Sequence, residues 1–142
     1  IILLDGLYLV SASGDIFKRA SLAEAESVPL ITGLTRQDLL RDAPSARNYL
    51  KKALAALSSY HRQPRPALSE VHVGSDGGVT FFLRHSGIAL RFGQQFSEKR
   101  LRQLDAVWAA LGPDASRARA LYFDHKVRRS RVVVRMTDGP GL

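Results

Sequence analysis

The chain contains no cysteine. That absence excludes disulfide frameworks, thiolate zinc sites, iron–sulfur clusters and cysteine nucleophiles. It does not indicate a compartment, because a cysteine-free domain is stable in oxidising and in reducing surroundings. With 11 glycines and 6 prolines in 142 residues, the chain also has too little of either residue to be collagen-like or of low complexity.

Long apolar runs are missing as well. The longest uninterrupted one, residues 106–111, is far shorter than the roughly 18–20 residues needed to cross a bilayer. The apolar run at the start of the chain ends after four residues, at Asp5, so we expect neither a signal peptide nor an anchor there. Since the first residue is Ile1 rather than methionine, we expect the chain to be a piece of a longer protein.

The residues that are present describe one globular domain, because 45% are hydrophobic and 24% are charged. Lysine and arginine number 21 against 13 acidic residues, which gives a formal net charge of +8. The basic excess is concentrated between residues 115 and 136, where Asp124 is the lone acidic residue. Such a charge favours an acidic partner, which could be a nucleic acid, an anionic membrane surface or an acidic protein face. A solvated basic edge without any ligand is the equally weighted alternative.

Motifs that mark enzymes are missing. The sequence has no HExxH, GxSxG, SxxK, GxGxxG or P-loop pattern. None of the four histidines has a second ligand-type residue at helical spacing, so structural or surface roles are favoured for His61, His72, His85 and His125. We therefore expect no enzymatic activity, no metal and no cofactor.

Local patterns along the first two thirds of the chain predict strands alternating with a helix. A hairpin is predicted around Asp5 and Gly6, which stand between two apolar runs. Apolar residues at helical spacing predict a helix over residues 34–60, interrupted near Ala43 and Pro44. Alternation and tight turns then predict three antiparallel strands, over residues 68–73, 79–83 and 88–92.

The last third of the chain predicts a second helix and a final hairpin. The helix starts at Ser97 and is stopped by Gly112 and Pro113. The hairpin has one strand at 121–123, a bend at 128–130 and a last strand at 131–136. We therefore predict an α+β domain over residues 1–136, with a flexible tail at 137–142. Its core is a curved, mostly antiparallel (mixed) sheet with two helices packed on one face.

The predicted last strand, RVVVR at 131–135, is short, β-branched and flanked by arginine. If it lies at a sheet edge, its unpaired amides and carbonyls form a template for another chain. Arginines there would equally protect an edge strand against such pairing, and the sequence does not separate the two possibilities. A proline at Val133 is expected to abolish strand addition by removing a ladder hydrogen bond.

Nucleic-acid binding is the alternative reading of the same hairpin. Tyr122, Phe123 and the nearby arginines could stack on bases and contact phosphates. Because the two aromatic residues are adjacent, however, they point to opposite faces and at least one belongs to the core. No RNP-type, KH or helix-turn-helix pattern supports this function.

Four segments of the chain, in order and at suitable spacing, resemble the FtsQ/DivIB family of bacterial cell-division proteins. They are LYLVSASGDIF (7–17), VPLITG (28–33), ALRFG (89–93) and LYFDHK (121–126). The resemblance implies the β domain of a single-pass inner-membrane protein, without the membrane anchor and the POTRA domain that precede it in the periplasm. It also implies a non-enzymatic scaffold that recruits FtsB and FtsL to the division septum.

The resemblance further implies how the partner docks. A segment of the FtsB/FtsL-type partner, expected to be acidic, adds a strand to the last strand and packs near the second helix. This chain departs from many relatives at Lys126 and Val127, where they carry arginine and tyrosine, and at Gln94, where a basic residue is common. The expected partner-binding residues are Lys126, Val127, Arg128, Arg129, Ser130, Arg131, Val132, Val133, Val134, Arg135, Gln94, Lys99 and Arg100.

Overall fold

The structure is a computed structural model that describes residues 1–124 and 132–137. In these ranges the chain forms nine strands and four α-helices. The strands are β1 (Ile2–Leu3), β2 (Leu7–Val10), β3 (Ile16–Arg19), β4 (Leu30–Thr32), β5 (Leu68–Val73), β6 (Val79–Leu83), β7 (Ala89–Gly93), β8 (Ala118–Tyr122) and β9 (Val133–Met136). The helices are α1 (Leu22–Ser27), α2 (Arg36–Arg41), α3 (Ala43–His61) and α4 (Glu98–Leu111), and a 3-10 helix (Gly112–Arg117) follows α4.

All nine strands belong to one open sheet, in the order β3-β2-β1-β4-β5-β6-β7-β8-β9. Five of the neighbouring pairs are antiparallel and three are parallel, namely β1 with β4, β4 with β5, and β7 with β8. A parallel pair cannot be joined by a tight turn and requires a crossover connection. The helices α2 and α3 supply it between β4 and β5, and α4 supplies it between β7 and β8. The predicted α+β fold with a mixed, mostly antiparallel sheet is confirmed.

One face of the sheet carries the hydrophobic core. Val71, Phe81, Leu90 and Leu121 are neighbours across four strands, and each is 0% exposed. The same core includes Leu50 and Ala53 of α3 and Leu101 and Leu104 of α4, so both long helices pack on this face, which we call the helix face. The opposite face, which we call the open face, presents the alternate residues of each strand.

The helices begin where side chains can bind the free amides of the first turn. Asp42 caps α3 through the amide of Ser45, and Ser97 caps α4 through the amide of Arg100. Asp42 also separates α3 from α2, which confirms the interruption predicted near Ala43. The short helix α1 was not predicted, although Ser21 and Glu24 form a capping box that marks its start.

An ion pair fixes α4 against the end of α3. The guanidinium of Arg65 binds both carboxylate oxygens of Asp105, at 2.8 and 2.9 Å, and also donates to the carbonyl of Tyr60 at 2.7 Å. The Arg65 side chain is only 3% exposed, whereas the Asp105 side chain is 44% exposed, so the bidentate pair lies at the surface with its guanidinium covered. The pair holds the crossover helix that leads from β7 to β8.

Element boundaries agree with expectation for two strands and shift by one to three residues for two others. The strands β5 and β6 have the predicted bounds, whereas β7 starts one residue later and β8 starts three residues earlier than predicted. The predicted last strand begins at Arg131, which lies outside the described residues, and β9 as described starts at Val133. Thr137, expected in the flexible tail, donates its amide to the carbonyl of Arg117 at 2.7 Å.

An aromatic cluster fills the core between the sheet and both long helices. Phe92 is 0% exposed and stacks on Phe123 with a centroid distance of 4.6 Å and an interplanar angle of 11°. It also meets Phe81 and Phe96 edge-on, at 5.7 and 5.2 Å. The stacked pair joins β7 to the residue that follows β8, so it ties the last part of the sheet to the rest.

Replacing Phe92 tests this cluster. We expect Phe92→Ala to lower the free energy of unfolding by about 3–5 kcal/mol, because it removes a buried ring and leaves a cavity. Leu40→Ala is the control, since Leu40 is 81% exposed, and should change stability by no more than about 0.5 kcal/mol. Urea denaturation measures both variants. Similar stabilities for the two variants would contradict the assignment of Phe92 to the core.

Candidate partner-binding edge

The strand β9 lies at one end of the sheet and, among the described residues, pairs only with β8. This position satisfies the condition on which strand addition was predicted. Six of the expected binding residues, Lys126, Val127, Arg128, Arg129, Ser130 and Arg131, lie outside the described residues. The candidate site is therefore described from β9 and from the expected residues that follow β7, which are Gln94, Lys99 and Arg100.

The register shows which backbone groups of β9 face the free edge. The amide of Thr137 binds the carbonyl of Arg117 in the chain leading into β8, so Thr137 faces β8. Because the direction of the N–H and C=O groups alternates along a strand, Arg135 and Val133 also face β8. The N–H and C=O groups of Val134 and Met136 then point away from β8, toward the free edge. A β-bulge between Ala118 and Ala120 places the extra residue in β8, so the alternation along β9 is unbroken.

This result corrects the proline expected to test the edge. The amide of Val133 faces β8, across from its register partner Tyr122. A proline at Val133 would therefore disturb the domain's own hairpin rather than the free edge. Among the described residues of β9, the amides that point away from β8 are those of Val134 and Met136.

The side chains of β9 also alternate. Val132, Val134 and Met136 are half-buried and pack against the core on the helix face. Val133 and Arg135 are exposed on the open face, Val133 by 42%. An added strand would therefore meet apolar side chains on one face and Val133 with Arg135 on the other.

Basic side chains dominate the open face beside β9. Arg91 is exposed and lies over the ring of Tyr122, 5.7 Å from its centroid. Arg119 is the extra residue of the bulge and is exposed too. No described carboxylate forms an ion pair with Arg135. The potential at this end of the sheet therefore favours an acidic ligand.

Gln94 directly follows β7, at the level where β8 ends. It is exposed and donates through Nε2 to the carbonyl of Asp76 at 2.6 Å. The preceding residue, Gly93, has a φ of +57°, and a Cβ built on it would lie only 2.8 Å from the Cβ of Asp124. Gly93 thus allows the start of the β7–α4 connection to pass close to Asp124, the last described residue before the gap at 125–131.

The first turn of α4 carries Lys99 and Arg100, which differ in their surroundings. Lys99 is exposed. Arg100, expected as a surface contact for a partner, is only 4% exposed, and its guanidinium donates to Oε1 of Gln103 at 2.8 Å. The structure therefore places Lys99, but not Arg100, on the surface.

The structure also bears on the enzymatic and nucleic-acid alternatives. A surface cleft of about 500 Å³ is lined by Leu39, Pro44 and the Asp15–Arg47 ion pair, far along the sheet from β9. Hydrogen bonds from Ser13 and Arg47 lower the pKa of Asp15, which disfavours it as a general acid. Within the described residues, no three metal-ligating side chains cluster.

For nucleic-acid binding, the two adjacent aromatic residues differ in exposure. Phe123 is 0% exposed whereas Tyr122 is half-exposed, which confirms that one of the two aromatics belongs to the core.

The domain is therefore an α+β domain with an open mixed sheet, in which β9 is the end strand of the part that the structure describes. A family model described as "Cell division protein FtsQ/DivIB, C-terminal" matches residues 2–138. The chain belongs to this family. No helix in the described ranges is long and apolar enough to span a membrane.

Curated relatives carry the same description. Cell division protein FtsQ of Anaeromyxobacter sp. (strain K) is 33% identical over 141 residues, which is 97% of this chain and 48% of the relative. Cell division protein FtsQ of Myxococcus fulvus is 33% identical over 138 residues, again covering 48% of the relative. That of Geotalea daltonii is 30% identical over 108 residues. The chain thus spans about half the length of the curated relatives it matches.

A substitution at Gly93 tests the close approach at this end of the sheet. Gly87→Ala is the matched control, because Gly87 also has a positive φ but a Cβ there meets no atom within 4 Å. We expect the control to lose about 1–2 kcal/mol from the left-handed backbone alone. Gly93→Ala should lose clearly more, because its methyl group also meets Asp124. Equal losses in urea denaturation would show that Asp124 does not constrain Gly93.

Proposed function

We propose that this domain is a non-enzymatic docking domain of the cell-division machinery and that it recruits FtsB/FtsL-type partners by strand addition to β9. The observation that carries the proposal is the pair of free backbone positions at Val134 and Met136. Strand addition satisfies such groups by main-chain hydrogen bonds, and the side chains beside them provide selectivity.

The sequence before β9 supports an acidic partner. Lys126, Arg128, Arg129 and Arg131 precede the strand, and the segment 125–131 contains no acidic residue. Together with Arg135 they would attract a negatively charged segment and raise its rate of association. Val127 and Ser130 of the same segment remain expected partner-binding residues.

Gln94 and Lys99 would provide a second contact region, near the level at which β8 ends and β9 begins. Both are exposed, and both follow β7, whose last residues lie beside the end of β8. A partner segment that continues past β9 would reach this region. Because Arg100 is buried, we assign it a role in supporting α4 rather than in touching the partner.

A protective role for the arginines is the competing explanation of β9. Short, charged edge strands resist unwanted pairing, and β9 has only four residues. The two explanations differ in outcome, because a protected edge rejects every strand whereas a docking edge accepts one of defined chemistry. Binding experiments therefore separate them.

The location that we propose is the bacterial periplasm, within a single-pass inner-membrane protein. The family membership supports this location, and the absence of cysteine is compatible with it. Membrane anchoring would be supplied by a segment outside this chain.

Nucleic-acid binding is the second candidate function, and the pairing of Arg91 with Tyr122 on the open face favours it. Such a surface could combine phosphate contacts with base stacking. A generic oligonucleotide titrated at several salt concentrations tests it, because phosphate contacts give a steep salt dependence. Oligonucleotide binding without any response to a division partner would replace the proposal above.

A proline at Val134 tests strand addition directly. We expect Val134→Pro to weaken binding of the periplasmic FtsB segment from the same organism by about tenfold or more, because it removes an outward amide and its ring blocks the approach of a strand. Isothermal titration calorimetry measures the affinity.

Val134→Ile is the matched control, since it keeps the amide and a β-branched apolar side chain on the helix face. It should bind nearly as well as the unmodified domain. The thermal unfolding of both variants is compared first, so that loss of binding is not loss of folding. Full binding by a folded Val134→Pro domain would rule out β9 as the docking edge.

A further inference from the structure

Three consecutive residues of β9 differ in what they offer to an added strand. Val134 and Met136 direct their side chains to the helix face, and Arg135 directs its side chain to the open face. In any paired strand, the residue opposite a given position has its side chain on the same face, whether the two strands are parallel or antiparallel. The faces of the incoming residues are therefore determined by β9 alone.

Apolar residues of an added strand are the favourable neighbours of the helix-face positions, Val134 and Met136. Val134 and Met136 pack against the core but are only half-buried, because no described strand lies beyond them. A residue placed opposite either of them lies about 4.5–5.5 Å away between Cβ atoms. An apolar side chain there would cover the exposed part of Val134 or Met136, whereas a charged one would lose its water without gaining a partner.

A carboxylate is the favourable neighbour of the open-face position, Arg135. Arg135 is exposed, and its neighbour in β8 is Ala120, a small side chain that is 1% exposed and offers no charge. The adjacent bulge residue, Arg119, adds a second positive charge. An acidic residue opposite Arg135 would form a cross-strand pair of opposite charge, and a basic residue would face like charges.

We propose that β9 selects an incoming strand with the local pattern apolar–acidic–apolar, and that Arg135 is the residue that selects the acidic side chain. The proposal rests on the proposed function, because it requires strand addition at β9. It goes further by naming the chemistry of three consecutive partner residues and their order.

A peptide series tests the pattern. Four nine-residue peptides share the same threonine- and serine-rich flanks and differ at the centre, which is Val-Glu-Val, Val-Gln-Val, Val-Lys-Val or Ser-Glu-Ser. Chemical-shift titration of the domain measures each affinity. We expect Val-Glu-Val to bind most tightly and to exceed Val-Lys-Val by about fivefold or more, with Val-Gln-Val between them. Ser-Glu-Ser should bind more weakly than Val-Glu-Val, because it leaves Val134 and Met136 uncovered.

Substitution of Arg135 provides the second test of the pattern. Arg135→Glu should invert the order of Val-Glu-Val and Val-Lys-Val, and Arg135→Gln should nearly abolish the difference between them. Both substitutions are on the exposed face, so the folded state is expected to persist and is checked by thermal unfolding. Equal binding of the acidic and basic peptides, a preference that Arg135→Glu leaves unchanged, or no binding of Val-Glu-Val would overturn the proposal.

The experiment separates this proposal from the one on which it rests. If the FtsB segment binds and Val134→Pro abolishes that binding, strand addition at β9 is supported, and the relative affinities of the four peptides do not change that conclusion. Failure of the peptide order would then refute only the selection by Arg135. If Val134→Pro leaves the binding of both the FtsB segment and Val-Glu-Val unchanged, strand addition itself is wrong.

Discussion

The parallel pairing of β8 with β7 is the contact on which the candidate edge depends. The amide of Phe123 binds the carbonyl of Arg91 at 2.8 Å, and the ring of Phe123 stacks on Phe92 beneath it. Because parallel strands cannot be joined by a short turn, this pairing requires α4 as a crossover. The following chain can then return only on the outer side of β8, where β9 becomes the end of the sheet. The position of β9 at the end of the described sheet and the crossover helix α4 are therefore consequences of one pairing.

The bulge at Arg119 determines which residues of β9 face away from β8. It places one extra residue in β8 and leaves β9 regular, so that every second residue of β9 faces outward. A shift of the hairpin register by one residue would exchange the two faces of β9 and would bring Arg135 to the core side. The burial of Val134 and Met136 against the core opposes such a shift. Packing on the helix face thus specifies which side chains an approaching strand encounters on both faces.

Much of the fold could be predicted from the sequence, because its signals are local. The turn around Gly77 delimits β5 and β6, and Ser97 marks the start of α4. Three features could not be predicted in this way. The helix α1 has a capping box but no apolar stripe, and none of its residues is buried. Arg100 is charged yet lies on the buried side of α4, which only the packing of the helix reveals. The direction of the Val133 amide depends on a long-range register and on a bulge in the partner strand.

The opposite end of the sheet has a different character. There β3 pairs with β2 through an irregular register, and its second residue, Phe17, is 61% exposed. The next residue, Lys18, forms an ion pair with Glu24. Such a bulged and charged strand is a poor template for further pairing. Of the two end strands of the described sheet, β3 is therefore the less suited to pairing with another chain. If partners dock by strand addition to β9 as proposed, each copy of the domain would bind one segment, and copies would not pass strands to one another to form a fibre.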